Sequence, residues 1–205
     1  MLSSLNLANV FIDALAEHLT IIRELEAQQG AFERVATVIA DALLAGNKVV
    51  WCGNGGSAAD AQHLAAELVG RFRCERRPLP SFALTTDTSV LTAIANDFGY
   101  DEVFARQVEA LCLPGDVVVG ISTSGNSRNV CAALQKARDL GALTVAMTGQ
   151  HGGRMAALAD FCIGVPSVEP ARIQEAHILC GHILCEWIEI AVRSEPAVVA
   201  CGEAR

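Results

Sequence analysis

Residues 48–57 read KVVWCGNGGS: the apolar run Val49–Cys52, then Gly53, Asn54, Gly55, Gly56 and Ser57, and then an alanine-rich segment of helical character. A short, continuous apolar run is what a strand covered on both faces requires. The glycines let the backbone approach a ligand, and the N–H groups of the following helix start attract anions. Ala58 stands where the third glycine of G-x-G-x-x-G would fall, and no Gly-Lys-Ser/Thr follows. The segment is therefore neither a dinucleotide fingerprint nor a P-loop.

The same rhythm of apolar run, turn and helix continues downstream. It predicts strands at Ser81–Leu84, Val117–Ile121, Leu143–Met147 and Phe161–Val165. Helices are predicted over 58–70, 101–112, 127–139 and 170–192, with shorter ones near 88–95 and 153–158. Alternating strands and helices imply a parallel sheet with right-handed crossovers. Upstream, Phe11, Leu15, Leu19 and Ile22 share one stripe of a helix over 3–27. Gly30 is expected to end it, and a second helix runs through Val35–Leu44 to Gly46. Two helices before any strand are expected to pack outside the sheet or against another subunit.

Composition narrows the class. The chain has 205 residues, enough for one domain, and 52% hydrophobic against 19% charged residues excludes disorder. A net charge of −8 argues against a nucleic-acid or anionic-membrane binder. No apolar run reaches the roughly 18–20 residues that span a bilayer, and the N-terminal stretch, with Asp13 and Glu17, does not read as a signal sequence. A cytoplasmic protein is expected, and its eight cysteines, with no C-x-x-C pair, read as buried thiols. The basic segment Arg71–Pro80 reads as a solvated loop.

In open parallel sheets the ligand lies beyond the carboxyl ends of the strands. After Val117–Ile121 comes Ser122-Thr123-Ser124-Gly125-Asn126-Ser127, with four hydroxyls at a helix start where an N-cap needs only one. Such a loop can surround a phosphate without a lysine. On the helix over 58–70, His63 and Glu67 are spaced i,i+4 and share a face. In the last helix, Gln174 and His182 lie about 80° apart around the axis and about 12 Å along it, whereas His177 points about 140° away from His182. His177 therefore reads as structural. Thr85–Thr88 and Asn96-Asp97 are accounted for by turns and caps.

Taken together, CGNGGSAADAQHLAAELVGR, ALTTDTSVLTAIANDFGYDEVFARQVEAL, GDVVVGISTSGNSRNV and ARIQEAHIL resemble the sugar-isomerase (SIS) domain family, and within it the branch that isomerises sedoheptulose 7-phosphate. The resemblance runs from about residue 5 to 193. It implies a single SIS domain over 1–205: N-terminal helices in 1–46 that serve oligomerisation, and a flavodoxin-like αβα sandwich around a five-stranded parallel sheet over 47–193. It implies a homotetramer with sites at subunit interfaces, a phosphosugar substrate, and no nucleic-acid or membrane partner. The implied reaction is conversion of sedoheptulose 7-phosphate to D-glycero-D-manno-heptose 7-phosphate through an enediol, the first step towards ADP-heptose for bacterial surface glycans.

By the same resemblance, Asn54, Gly55, Gly56, Ser57, Glu67, Asn96, Asp97, Ser122, Thr123, Ser124, Ser127 and Gln174 match substrate-binding positions. Glu67 and His182 match the catalytic pair. His63, Glu67, Gln174 and His182 match the ligands of a zinc ion, one per subunit. Ala171, and Ala58-Ala59, depart from the pattern without removing a catalytic group. A non-catalytic branch, phosphosugar-sensing or DnaA-binding, shares Leu-Thr-Ala-Ile-Ala-Asn-Asp and Ala-Arg-Ile-Gln-Glu. That branch replaces the catalytic glutamate and histidine, so Glu67 and His182 favour the enzyme.

Overall fold

The five apolar runs pair into one parallel sheet. In the computed structural model, which describes residues 7–194, the strands are β1 (Val49–Gly53), β2 (Ser81–Ala83), β3 (Val117–Ser122), β4 (Leu143–Thr148) and β5 (Phe161–Gly164). Their order is β2-β1-β3-β4-β5, and every neighbouring pair is parallel. Strand alternation divides the core: Val49 and Trp51 face one side, Val50 and Cys52 the other.

On the Trp51 side pack α2 (Gln29–Leu44), α3 (Gly56–Val69) and α8 (Pro170–Ser194). On the Cys52 side pack α5 (Ala105–Leu111), α6 (Arg128–Asp139) and α7 (Gly153–Leu158), with α4 (Thr88–Phe98) half-buried against them. The expected three-layer sandwich with its helical prelude is present.

The helix boundaries differ from expectation in two regions. Helix α1 (Leu7–Leu25) ends in a 3-10 turn at Glu26–Gln28, and Gly30 lies inside the first turn of α2. A glycine stops a helix by taking a left-handed conformation. Gly46 does so after α2, at φ +89°, whereas Gly30 has no positive φ. The stretch expected as a helix over 101–112 splits into a 3-10 turn, Tyr100–Glu102, and the short α5. Residues 3–6 of the predicted first helix lie outside the described residues.

Helix α1 docks on α8 through a polar cluster. Arg172 donates from Nη1 to the Ala14 carbonyl (2.7 Å) and from Nη2 to Glu175 Oε1 (2.7 Å). Glu175 Oε2 meets His18 Nδ1 at 2.9 Å. The outer side of α1 leaves Phe11, Leu15 and Leu19 about half exposed or more, with Val10 and Ile12 beside them.

Helices α3 and α8 run side by side in the same direction, and two glycines set their approach. A Cβ on Gly56 would meet the Gln174 amide, and one on Gly181 would run into the Leu64 side chain. His177 is fully buried, and its Nε2 donates to the Thr148 carbonyl at 3.0 Å. Burial lowers its pKa to about 4 against the opposing effect of that bond, so the ring is neutral at neutral pH. This is the structural role its helical position predicted.

The segment 71–80 departs from the solvated loop expected of it. Arg76 lies inside, its side chain 3% exposed, against Glu189 of α8. The seven cysteines among the described residues are free thiols, five of them buried.

Candidate functional site

The order β2-β1-β3-β4-β5 places the topological switch point between β1 and β3, where chain connections leave in opposite directions and open a crevice. The two polar loops singled out by sequence emerge there. A cavity of about 140 Å³ at this point is lined by Asn54, Ser57, Ile121, Ser122, Thr123, Ser124, Ser127 and Gln174.

The hydroxyl loop gathers several donors at one helix start. Gly125 turns it at φ +65°, and the Met155 N–H donates to the Gly125 carbonyl at 3.0 Å, tying the loop to α7. Ser122 Oγ lies 2.9 Å from Ser127 Oγ and 3.4 Å from Ser124 Oγ. Ser127 is the N-cap residue of α6, yet its hydroxyl makes no capping bond. It turns to Ser122 instead, leaving N–H groups at the helix start free for a ligand. Arg128 does not face this cavity: its side chain is 77% exposed, 3.7 Å from Asp101 Oδ2.

The two loops are locked to each other by a reciprocal amide pair. Asn54 Nδ2 donates to Asn129 Oδ1 (2.9 Å), and Asn129 Nδ2 donates to Asn54 Oδ1 (2.8 Å). Tyr100 Oη also donates to Asn54 Oδ1, at 3.0 Å. Asn129 is buried and also accepts from the Val130 N–H. Sequence reading missed Asn129 and Tyr100. Asn129 carried one signal, as a polar residue immediately before the apolar run Val130–Leu134.

A second polar group lies on the seam of α3 and α8. His63 Nε2 is 3.0 Å from His182 Nε2 and 3.3 Å from Glu67 Oε1. The ligand atoms of His63, Glu67 and His182 all lie within 4.8 Å of one another. Bonds of about 2.0 Å in a tetrahedral zinc site place donors about 3.3 Å apart, so these three fit a metal with an open fourth position. One turn earlier on α3, Asp60 is raised to about 6, chiefly by burial and against the opposing charge of His63. Its Oδ2 is buried without a hydrogen-bond partner. Asp60 was not singled out from sequence.

His63 is seven residues along α3 from Gly56, or about 10 Å. The group on the seam is thus separate from the hydroxyl cavity. Gln174 lines the cavity, with its amide over Gly56. Asn96 and Asp97 sit near the end of α4, exposed and hydrogen-bonded to each other at 2.8 Å, outside the cavity lining.

The profile of the SIS domain family matches residues 11–149. The chain belongs to that family. Within it, the chain is 63% identical over 166 residues to the phosphoheptose isomerase of Aquifex aeolicus (strain VF5), covering 81% of this chain and 86% of that protein. It is 56% identical over 175 residues to that of Aliarcobacter butzleri (strain RM4018), covering 85% and 93%. The solved phosphoheptose isomerase GmhA from Neisseria gonorrhoeae superposes with a TM-score of 0.86 at 44% identity, over 90% of this chain and 100% of that one. Among the described residues no helix is long and apolar enough to cross a membrane.

Proposed function

We propose that this protein is a phosphoheptose isomerase that converts sedoheptulose 7-phosphate to D-glycero-D-manno-heptose 7-phosphate. The observation that carries this reading is a carboxylate and an imidazole, Glu67 and His182, beside His63 on the α3–α8 seam, in a chain 54–63% identical to phosphoheptose isomerases. Ketose-to-aldose conversion moves a proton between adjacent carbons and another between their oxygens, with no net oxidation. Glu67 takes the proton from the hydroxymethyl carbon and returns it to the neighbouring carbon. His182 shuttles the hydroxyl proton between the two oxygens. The phosphate end is held in the serine cavity, and that remote binding orients the reacting carbons.

His63, Glu67 and His182 would hold a zinc ion, and Gln174, which lines the serine cavity, is not among them. Bound there, zinc supplies Lewis-acid polarisation of the sugar's carbonyl or enediolate oxygen. The reading also includes a homotetramer, with α1 and α2 contributing to the contacts. The apolar outer stripe of α1 supports it, since Phe11, Ile12, Leu15 and Leu19 there are about half exposed or more. Native mass spectrometry in zinc-supplemented buffer tests both statements together. The expected species is a tetramer carrying one zinc per subunit, and a zinc-free monomer would count against both. Cytoplasmic location completes the reading, supported by the free thiols among the described residues.

Phosphate recognition by hydroxyls and N–H groups has its own test. Ser124→Ala removes one donor to a charged group, and KM for sedoheptulose 7-phosphate should rise roughly tenfold or more. Arg128→Ala should leave KM within about twofold, because its exposed side chain is screened by solvent. Michaelis profiles at moderate and high salt make the comparison. A dominant, salt-sensitive loss in Arg128→Ala would show that the phosphate is held by charge.

A further inference from the structure

Arg76 and Glu189 form a buried junction between the two helices that carry Glu67 and His182. The last turn of α3 leaves carbonyls without helical partners. Arg76 supplies donors to them: Nη2 to the Glu67 carbonyl (2.8 Å), and Nη1 to those of Leu68 (2.8 Å) and Gly70 (3.3 Å). Its charge sits at the negative end of the helix dipole. On its other side, Arg76 Nε lies 3.1 Å from Glu189 Oε1, an ion pair whose geometry is off the hydrogen-bond line.

Glu189 is seven residues beyond His182 on α8 and shares its face. Its carboxylate accepts the backbone N–H groups of Phe72 (3.1 Å), Arg73 (2.8 Å) and Cys74 (2.9 Å). Burial alone would raise its pKa. The three N–H bonds and the Arg76 charge outweigh burial and hold it below the usual range. The same segment brings the Phe72 ring to 5.4 Å from the His182 ring. Thus the carbonyl of Glu67 itself, the helix of His182 and a ring against His182 all connect to one ion pair. Both side chains are 3% exposed. Desolvating them is costly, and an apolar pair could fill the same space, so the junction's distinctive property is directional.

We propose that Arg76 and Glu189 are positioning residues: they fix the end of α3 against α8, and so set the placement of the Glu67 carboxylate relative to the His182 imidazole. The inference rests on the assignment of Glu67 and His182 as the proton-transfer pair. Neither Arg76 nor Glu189 lines the cavity or offers a ligand atom to the His63–Glu67–His182 group, and Arg76 meets Glu67 only at its backbone carbonyl.

The test compares Glu189→Gln, Arg76→Gln and Arg76→Lys with wild type and Glu67→Gln. Each is assayed for sedoheptulose 7-phosphate isomerisation and normalised to folded protein by circular dichroism below its melting temperature. Glu189→Gln is nearly isosteric and keeps one oxygen acceptor, so it serves if Arg76→Gln does not fold. Misplacement of a reacting group predicts a kcat fall of about 10- to 100-fold in the two glutamine variants. KM should stay within about twofold, and Arg76→Lys should recover part of the loss. Wild-type kcat per folded molecule in Glu189→Gln, or a loss confined to KM, overturns the proposal. If Glu67→Gln retains wild-type turnover, the proton-transfer assignment itself is wrong. If Glu67→Gln is inactive while Glu189→Gln matches wild type, only the positioning role fails.

Discussion

Replacing Glu67 with glutamine is expected to lower kcat for sedoheptulose 7-phosphate by about two to four orders of magnitude, the usual cost of removing a general base. The substitution keeps the volume and most polar contacts of the side chain, and it leaves the Glu67 carbonyl free to accept from Arg76. The melting temperature should therefore move little. KM should also move little, because the phosphate end is assigned to the serine cavity, which Glu67 does not line. What disappears is an oxygen able to accept a proton from carbon, together with one anionic ligand of the three-residue group. Stopped-time assays of aldose formation, backed by exchange of the substrate's carbon-bound hydrogen with solvent, separate the two losses. A variant that still exchanges hydrogen at the wild-type rate retains the base, and the assignment to Glu67 would be wrong. His63→Ala removes one of the three candidate metal ligands and leaves the carboxylate in place. It is expected to lower metal content and to reduce exchange less than Glu67→Gln does.

The sheet was legible because its central strands β1, β3 and β4 are buried on both faces and read as apolar runs, as Val117–Ile121 does. The hydroxyl loop was legible because four hydroxyls exceed what a helix cap uses. His63 and Glu67 were paired by spacing alone, and the structure brings their side chains to 3.3 Å. Long-range partnerships were not legible. Arg76 looked like one more basic loop residue, because nothing local indicates a carboxylate 113 positions away. Asn129 was not singled out, because its partner Asn54 lies 75 positions away in sequence, just past the neighbouring strand β1. Gly30 was expected to stop a helix, but a glycine's φ is set by the surrounding packing, and the break fell at Glu26–Gln28 instead. Periodicity reports which face is buried, while polar specificity depends on which chain segments the fold brings together.

Gly125→Ala is expected to damage both stability and binding, and Gly46→Ala separates the two causes. Both glycines have positive φ, +65° and +89°, where an L side chain costs roughly 1–2 kcal/mol. A Cβ on Gly46 would meet nothing within 4 Å, so strain is its whole cost. A Cβ on Gly125 would fall on the Gly152 carbonyl oxygen and lie 3.0 Å from the Gly153 nitrogen. These are backbone atoms that no rotamer change can move, so an overpacking cost of about 1–3 kcal/mol adds to the strain. With a total near 3 kcal/mol, and about 2–4 °C per kcal/mol for a chain of this size, the melting temperature should fall by about 10 °C in Gly125→Ala and by less than half of that in Gly46→Ala. The clash can be relieved only by moving the loop off α7. That displaces the Ser124 hydroxyl and the N–H groups at the start of α6 together, and loss of several bonds to one anion should raise KM by about 100-fold or more. Gly46 lies at the end of α2, away from both polar groups, and its variant should keep wild-type kinetics. Equal KM values in the two variants would mean that the turn at Gly125 does not shape the phosphate site.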